Sequence, residues 1–340
     1  MHEYLRIVDK VLKRGTRKQS RTGIDVLSIT GELFEHDMGQ GFPLLTTKSM
    51  PFSIIAAELE FFIRGITDKN WLQARGCHVW DDWCNPRKVP YVDLDPSSRD
   101  LVARISGNQN IGNDDIMQCM DVLARQPELI NQHSISPKQY SQLQRVSDNR
   151  RAMFQERDLG PIYGFQWRHF GAEYAGCDAD YSGQGVDQLA NLVRTLMKNP
   201  NDRRMIVSAW NPADIDQMAL PACHYGFQVT VADGKLNLLW NQRSVDTALG
   251  LPFNIASYGL LLHLLAKESG LKEGKLVGSL TDVHIYANQL TGIKEQIDRK
   301  PFELPKIETP DFRSVFNWEY TDSEVLSYKH HQRIKIPLAV

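Results

Sequence analysis

Residues 223–246 read CHYGFQVTVADGKLNLLWNQRSVD, and this stretch decides the fold. Phe227, Val229 and Val231 recur at every second position before Asp233-Gly234, and Leu236, Leu238 and Trp240 do so after it. A period of two puts such residues on one face of a strand. Asp-Gly supplies the positive φ angles that a two-residue hairpin loop needs. The stretch is therefore a β-hairpin with one buried face. Its strands run antiparallel, so Arg243-Ser244, late in the second, returns to the neighbourhood of Cys223-His224, early in the first.

Working outward, a helix is predicted from about Asn254 to Ser269, closed by Gly270 and packed on the hairpin. Upstream lie a helix at Val186 to Lys198 and a strand at Met205 to Trp210. The chain begins with a helix whose apolar positions Tyr4, Val8, Val11 and Leu12 keep helical spacing up to Gly15. From Gly23 to Met38 the β-favouring Val26, Leu27, Ile29 and Phe34 surround Gly31-Glu32, the pattern of strand, turn and strand. A buried helix follows, with Pro51 in its first turn, Ile55, Leu59 and Phe62 on one face, and Gly65 at its end. Residues 84–157 differ: they are rich in Asn, Asp, Gln and Ser, poor in large apolar side chains, and read as an accessory insertion without an adequate core of its own. No internal repeat or low-complexity segment is evident.

With 340 residues, 42% apolar and 24% charged, the chain can bury a large core, and it is read as one catalytic domain carrying that insertion. The net charge of -2 provides no global field toward DNA or a membrane surface. The longest apolar stretch, Gly259 to Ala266, is far short of a bilayer span. Glu3, Arg6 and Asp9 stand where a signal peptide would be apolar. A cytoplasmic protein needing neither membrane nor DNA is expected. Cys77, Cys84, Cys119, Cys177 and Cys223 form an odd set without CxxC spacing, which predicts reduced thiols and no metal.

Several polar residues stand out against this background. Cys223 alone suits a small core position as well as a nucleophile, but a nearby Arg243 favours its thiolate and can grip a phosphate with two parallel bonds. Arg21, in Ser20-Arg21-Thr22-Gly23, and the pair Arg203-Arg204 are ordinary surface charges unless the fold gathers them around one anion. Glu58 lies at the edge of the buried helix face, where burial would raise its pKa and suit it to proton transfer, or where it simply faces solvent. Trp80 and Trp83 offer flat surfaces for a planar ring, or core packing. Asn254 serves as a helix N-cap or, with donor and acceptor side by side, matches N3-H and O4 of uracil and mismatches cytosine. His284 and Tyr286, two apart in an extended stretch, face the same way.

Taken together these segments resemble the thymidylate synthase family from about Arg21 to Val340, apart from the insertion. The likeness is carried by Ser20-Arg21-Thr22-Gly23, Gly41 to Lys48, Val79-Trp80-Asp81, Asp158 to Gly164, Asp202-Arg203-Arg204, Cys223-His224, Gln242 to Asp246, Leu249 to Tyr258 and Asp282 to Tyr286. The resemblance implies an α/β fold around a large mixed sheet, flanked by helices, and a homodimer joined through the sheets. It implies that Arg21, Arg243 and Ser244 hold the phosphate of dUMP, with Arg203 and Arg204 reaching across from the partner. His284 and Tyr286 would take the sugar hydroxyl. Cys223 would add to C6 of uracil, with His224 and Asn254 stabilising charge, Tyr163 assisting removal of the C5 proton and Glu58 handling protons near the folate. The second substrate implied is 5,10-methylenetetrahydrofolate, held by Asp246, which also borders the nucleotide, and by Trp80, Trp83, Gly250, Ala339 and Val340, the last two on a tail that closes over the site.

The chain departs from the family pattern at named places. Ala222 replaces a proline, Thr281 a glycine and Gln289 a histidine, Asn241 stands where tyrosine is common, and Ser49 and Pro51 occupy positions that are commonly basic. A deoxyuridylate hydroxymethylase of the same family, in which water captures the exocyclic methylene intermediate, is the nearest rival; Trp80 favours the synthase because a bulky indole hinders water. A cytidylate hydroxymethylase would call for an acidic residue in place of Asn254. A catalytically silent nucleotide-binding protein is opposed by the retained Cys223, Glu58, Tyr163 and Asn254.

Overall fold

The computed structural model describes residues 1–20, 23–84, 94–109, 111, 113–154 and 157–339. The predicted hairpin is present: β4 (His224–Ala232) pairs antiparallel with β5 (Lys235–Asp246), and Asp233 and Gly234 take φ of 51° and 70° between them. Around it forms a six-stranded sheet with β1 (Thr16–Lys18), β2 (Val26–Asp37), β3 (Ile206–Ser208) and β6 (Lys272–Tyr286), in the order β1-β2-β6-β5-β4-β3. The sheet is mixed because β5 and β6 run parallel while every other neighbouring pair is antiparallel. The connection that parallel strands require is a helix, α10 (Gly250–Ser269), ended by Gly270 at φ 67°.

The remaining helices are α1 (His2–Arg14), α2 (Phe52–Ile63), α3 (Lys69–Gln73), α4 (Pro96–Ser106), α5 (Asn113–Arg125), α6 (Glu128–Gln132), α7 (Pro137–Phe154), α8 (Tyr163–His169), α9 (Gln188–Lys198) and α11 (Leu290–Ile297). A small hairpin of β7 (Lys306–Glu308) and β8 (Glu324–Leu326) lies apart from the main sheet. Nearly all of α10 is buried, from Leu251 to Ala266 with few gaps, so it reads as apolar all round and not as an amphipathic stripe. It is sandwiched between the sheet and α2, and that layer holds the main core together with Phe62, Trp167, Phe227 and Trp240.

Four expectations are corrected. Gly31 and Glu32 make no turn: β2 is one strand of 12 residues, with Gly31 at φ 78° inside it, because the residues on both sides of Gly31 find partners in β6 in one unbroken register. Asn254 is no N-cap. α10 starts at Gly250, and the backbone N–H groups just before it, on Ala248 and Leu249, are taken by the carboxylate of Asp246 at the end of β5. Pro51 precedes α2 instead of sitting inside its first turn. The insertion has a core of its own, in which Leu101, Val102, Ile116, Cys119, Leu123 and Leu143 from α4, α5 and α7 meet in a cluster separate from the main one.

Candidate active site

The end of the sheet where β4 begins gathers the polar residues. Cys223 is half-buried and in no disulfide. Its backbone is held on both sides: its N–H donates to the Tyr163 hydroxyl at 2.7 Å, and its carbonyl accepts from the N–H of Arg243 at 2.9 Å. The antiparallel return predicted from the hairpin therefore brings Arg243 beside the cysteine. The Arg243 guanidinium is folded onto the segment before Cys223, with Nε donating to the Ala222 carbonyl at 2.9 Å and Nη2 to that of Pro221 at 2.8 Å, and it lies 5.3 Å from the Trp210 ring. A shift of register between His224 and Gly226 bulges the strand directly after the cysteine, a device that re-aims side chains at a strand end.

His224 is buried, its ring 4.3 Å from that of Tyr163, and Nδ1 lies 2.9 Å from the hydroxyl of Tyr258 on α10. Burial pushes its pKa down to about 3, so the imidazole is neutral at physiological pH. Tyr163 in turn stacks on Phe62 of α2 at 4.8 Å, and burial holds its phenol far above the usual range, as a proton-bearing hydroxyl. Glu58, from the same helix as Phe62, accepts a 2.8 Å bond from the Trp80 indole. Burial raises the Glu58 pKa to about 7 even though the indole bond opposes the shift. The Trp80 ring meets that of Tyr163 edge-on at 6.0 Å, so Glu58, Trp80, Tyr163, His224 and Cys223 form one connected wall.

Asn254 is set by a chain of buried amides. The Trp240 indole, which can only donate, reaches Oε1 of Gln242 at 3.1 Å. Nε2 of Gln242 then faces the Ser244 carbonyl at 3.0 Å and Oδ1 of Asn254 at 2.9 Å. A donor-only and an acceptor-only neighbour thus bracket Gln242 and dictate which end of the Asn254 amide turns toward it. Beyond this bond the Asn254 amide offers a second lone pair on Oδ1 and its NH2, an acceptor and donors side by side. His284 and Tyr286 lie at the end of β6 with rings 5.1 Å apart, and His284 is in register with Asp246 of β5. Ser244 is on the same face, level with Asp282.

On the other side of Asp246, its Oδ1 takes the N–H groups of Ala248 and Leu249 at 3.0 and 3.1 Å, close to Gly250, and its Oδ2 takes a bond from Gln289. Ala339 of the tail is buried, and Trp83 is packed partly buried against the core. Arg203 and Arg204 are exposed, and the Arg204 fork is closed on Asp202 at 2.6 and 2.9 Å. Arg21 and Val340 lie outside the described residues. Among the described residues no group of three His, Cys, Asp or Glu could hold a metal, and no helix is long and apolar enough to cross a membrane.

The sequence reading passed over Lys48 and Tyr258. Lys48 is buried with Nζ 2.7 Å from the Ala248 carbonyl; burial lowers its pKa to about 8, and nearby Asp246 works against that shift. A buried lysine leaves no periodic signal. Both residues stand at the ends of stretches that carry the resemblance, Gly41 to Lys48 and Leu249 to Tyr258, but only the turn of α10 shows that Tyr258 faces His224.

The family model described as thymidylate synthase matches residues 2–340. A curated bifunctional dihydrofolate reductase-thymidylate synthase from Paramecium tetraurelia is 38% identical over 339 residues, covering 100% of this chain and 61% of that protein. The chain thus spans about three fifths of that relative's length. A match over almost every residue, with a cysteine placed between Tyr163 and Arg243 at the mouth of a six-stranded mixed sheet, leads to one conclusion: the chain belongs to the thymidylate synthase family.

Proposed function

We propose that this chain converts dUMP to dTMP by reductive methylation, with 5,10-methylenetetrahydrofolate supplying the one-carbon unit and the hydride and leaving as dihydrofolate. The observation that carries the reading is the double clamp on Cys223, from Tyr163 and Arg243, next to an Asn254 amide whose direction is fixed. Cys223 adds to C6 of the uracil, and C5 becomes the nucleophile. Asn254 recognises O4 and N3-H, and neutral His224 stabilises charge without competing for the proton. Tyr163 assists departure of the C5 proton, and Glu58, half-ionised near neutral pH, gives and takes protons on the folate side.

Arg21, Arg243 and Ser244 are proposed to hold the phosphate, His284 and Tyr286 the sugar hydroxyl, and Asp246, Trp80, Trp83, Gly250 and the tail the folate. The phosphate site is completed by Arg203 and Arg204 of a second copy. Support for a sheet-to-sheet dimer comes from the face of the sheet away from α10: register places Ile206, Gln228, Leu239 and Val277 in one row and Asn241, Ser279 and Leu33 in the next, and Ile206 and Leu33 are 54% and 48% exposed. Large apolar side chains in such rows favour burial against another sheet. A cytoplasmic setting is in keeping with this soluble chemistry.

The test is incubation with dUMP and the folate, followed by mass analysis of the nucleotide and measurement of dihydrofolate. Methylated product with one equivalent of dihydrofolate supports the synthase. Hydroxymethyl-dUMP without dihydrofolate assigns the chain to the hydroxymethylase reading, and no covalent adduct of Cys223 with 5-fluoro-dUMP and the folate removes both.

A further inference from the structure

Gln289 follows β6 at the end of a single 3-10 turn, Ala287–Gln289, and none of its surface is exposed. Its amide meets three groups from three parts of the chain. Oε1 accepts the N–H of Tyr286 at 3.2 Å, and Nε2 donates to Oδ2 of Asp246 at 3.2 Å and to the carbonyl of Pro337 at 3.3 Å. A backbone N–H can only donate, and a carboxylate or carbonyl only accept, so all three demand the same orientation of the amide. One buried side chain therefore ties the carboxyl-terminal tail to Asp246.

The tail has an apolar seat next to this bond. Ile334 is 8% exposed and Ile336 partly buried against the core, and both lie over Gly292 of α11. A Cβ at Gly292 would meet Ile336 Cγ1 at 2.9 Å and Ile334 Cγ2 at 3.1 Å, so the missing side chain makes room for the tail. If the tail lifts, Gln289 loses an acceptor for a buried N–H and its hold on Asp246 slackens.

We infer that Gln289 is a positioning residue that couples docking of the tail to the placement of Asp246 for the folate; this rests on the reading of Asp246 and the tail given above. Coupling of this kind is reciprocal: a folate engaged by Asp246 favours the docked tail, and a docked tail favours the folate. An imidazole here would carry at most one hydrogen on each ring nitrogen, whereas the amide NH2 of Gln289 has one for each of the two acceptors.

The experiment compares wild type with Gln289→Met, which keeps volume and removes all three bonds, and Gly292→Leu, which displaces Ile334 and Ile336 while leaving Gln289 and Asp246 intact. Turnover kinetics for each substrate, thermal melting, and trypsin cleavage after Arg333 and Lys335 with both substrates bound are measured. Both variants are expected to raise the KM for the folate roughly tenfold or more, the scale of one lost bond to a charged group. The KM for dUMP should move several times less, and the tail should be cut faster. If Gln289→Met melts without folding cooperatively, Gln289→Glu, which keeps an acceptor for the Tyr286 N–H and loses both donations, takes its place. Faster cleavage with an unmoved folate KM overturns the coupling, as does a lower melting temperature with neither readout changed. A wild type that fails to turn over dUMP with the folate defeats the functional reading itself, whereas an active wild type with silent variants defeats only this inference.

Discussion

The Cys223 end of the sheet and the helices α4 to α7 are both packed around apolar side chains, but they treat buried polarity differently. At the sheet end, side-chain bonds join residues far apart in the chain, such as Tyr163 to Cys223, Gln242 to Asn254 and Gln289 to Pro337. In α4 to α7 the buried Ser98 bonds to Asp95 three residues away, at the cap of α4, the buried Ser147 hydroxyl has no partner among the described residues, and the core is Leu, Val, Ile, Met and Cys. Burying polar groups costs stability unless every bond is made, so a fold that concentrates them in one place is spending stability on chemistry there.

The largest effect expected from this contrast is at the nucleophile. Cys223→Ser retains size and the two backbone bonds but replaces the sulfur with a poor nucleophile, and kcat should fall on the order of 10⁴-fold or more with an unchanged melting temperature. A residual rate within tenfold of wild type would show that the clamp on Cys223 serves folding alone.

Next comes Glu58. Replacement by Gln should lower kcat about 10²-fold or more by removing the proton carrier, and it should also reveal the cost of burial. The pKa in the folded protein, about 7, lies above that of an unfolded glutamate. The folded state therefore holds this proton more tightly, and stability is lost as pH rises from the unfolded value through about 7. Glu58→Gln should gain about 3 kcal/mol or less over wild type at pH 8 and nothing at pH 4, as measured by denaturant titration. Equal stability of the two proteins across that range would contradict the raised pKa.

How much of this was legible in the sequence follows from the range of each interaction. The hairpin, its turn at Asp233-Gly234 and the return of Arg243 to Cys223 follow from alternation and antiparallel geometry, which act over neighbouring residues. Gly31 misled because a lone glycine in a strand looks the same as a turn until the partner strand β6 is known. Asn254 misled because α10 begins four residues earlier, at Gly250, after a turn held by Asp246, outside the apparent helix signal. The roles of Gln242 and Gln289 depend on donor and acceptor neighbours brought from other elements, which no local pattern encodes. The insertion core was underestimated because its apolar residues are few per helix, and only the crossing of α4, α5 and α7 makes them sufficient.

A smaller and more selective change is expected at Asn254. With Asp there, the carboxylate would accept from the amino group of cytosine, and Nε2 of Gln242 could still donate to it. The ratio of kcat/KM for dUMP over dCMP should drop by about 10²-fold, the scale of exchanging a matched polar edge for a mismatched one. An unchanged ratio would mean that base selection lies elsewhere in the wall.

The last test lies in the insertion, where the comparison predicts almost no catalytic effect. Leu143 of α7 is fully buried in the separate cluster, so Leu143→Ala removes apolar contacts and leaves a cavity. The cost is about 2 to 5 kcal/mol for a buried leucine. Because the cluster is distinct from the main core, that loss should appear as faster hydrogen exchange in α4, α5 and α7, with exchange in β4, β5 and α10 unchanged. Turnover should stay within about twofold of wild type, since no bond to Cys223, Asn254 or Asp246 passes through Leu143. Should kcat fall together with protection in these helices, the route would run through α7, which touches the turn Ile215–Gln217 ahead of Cys223. The insertion would then belong to the catalytic unit instead of resting beside it.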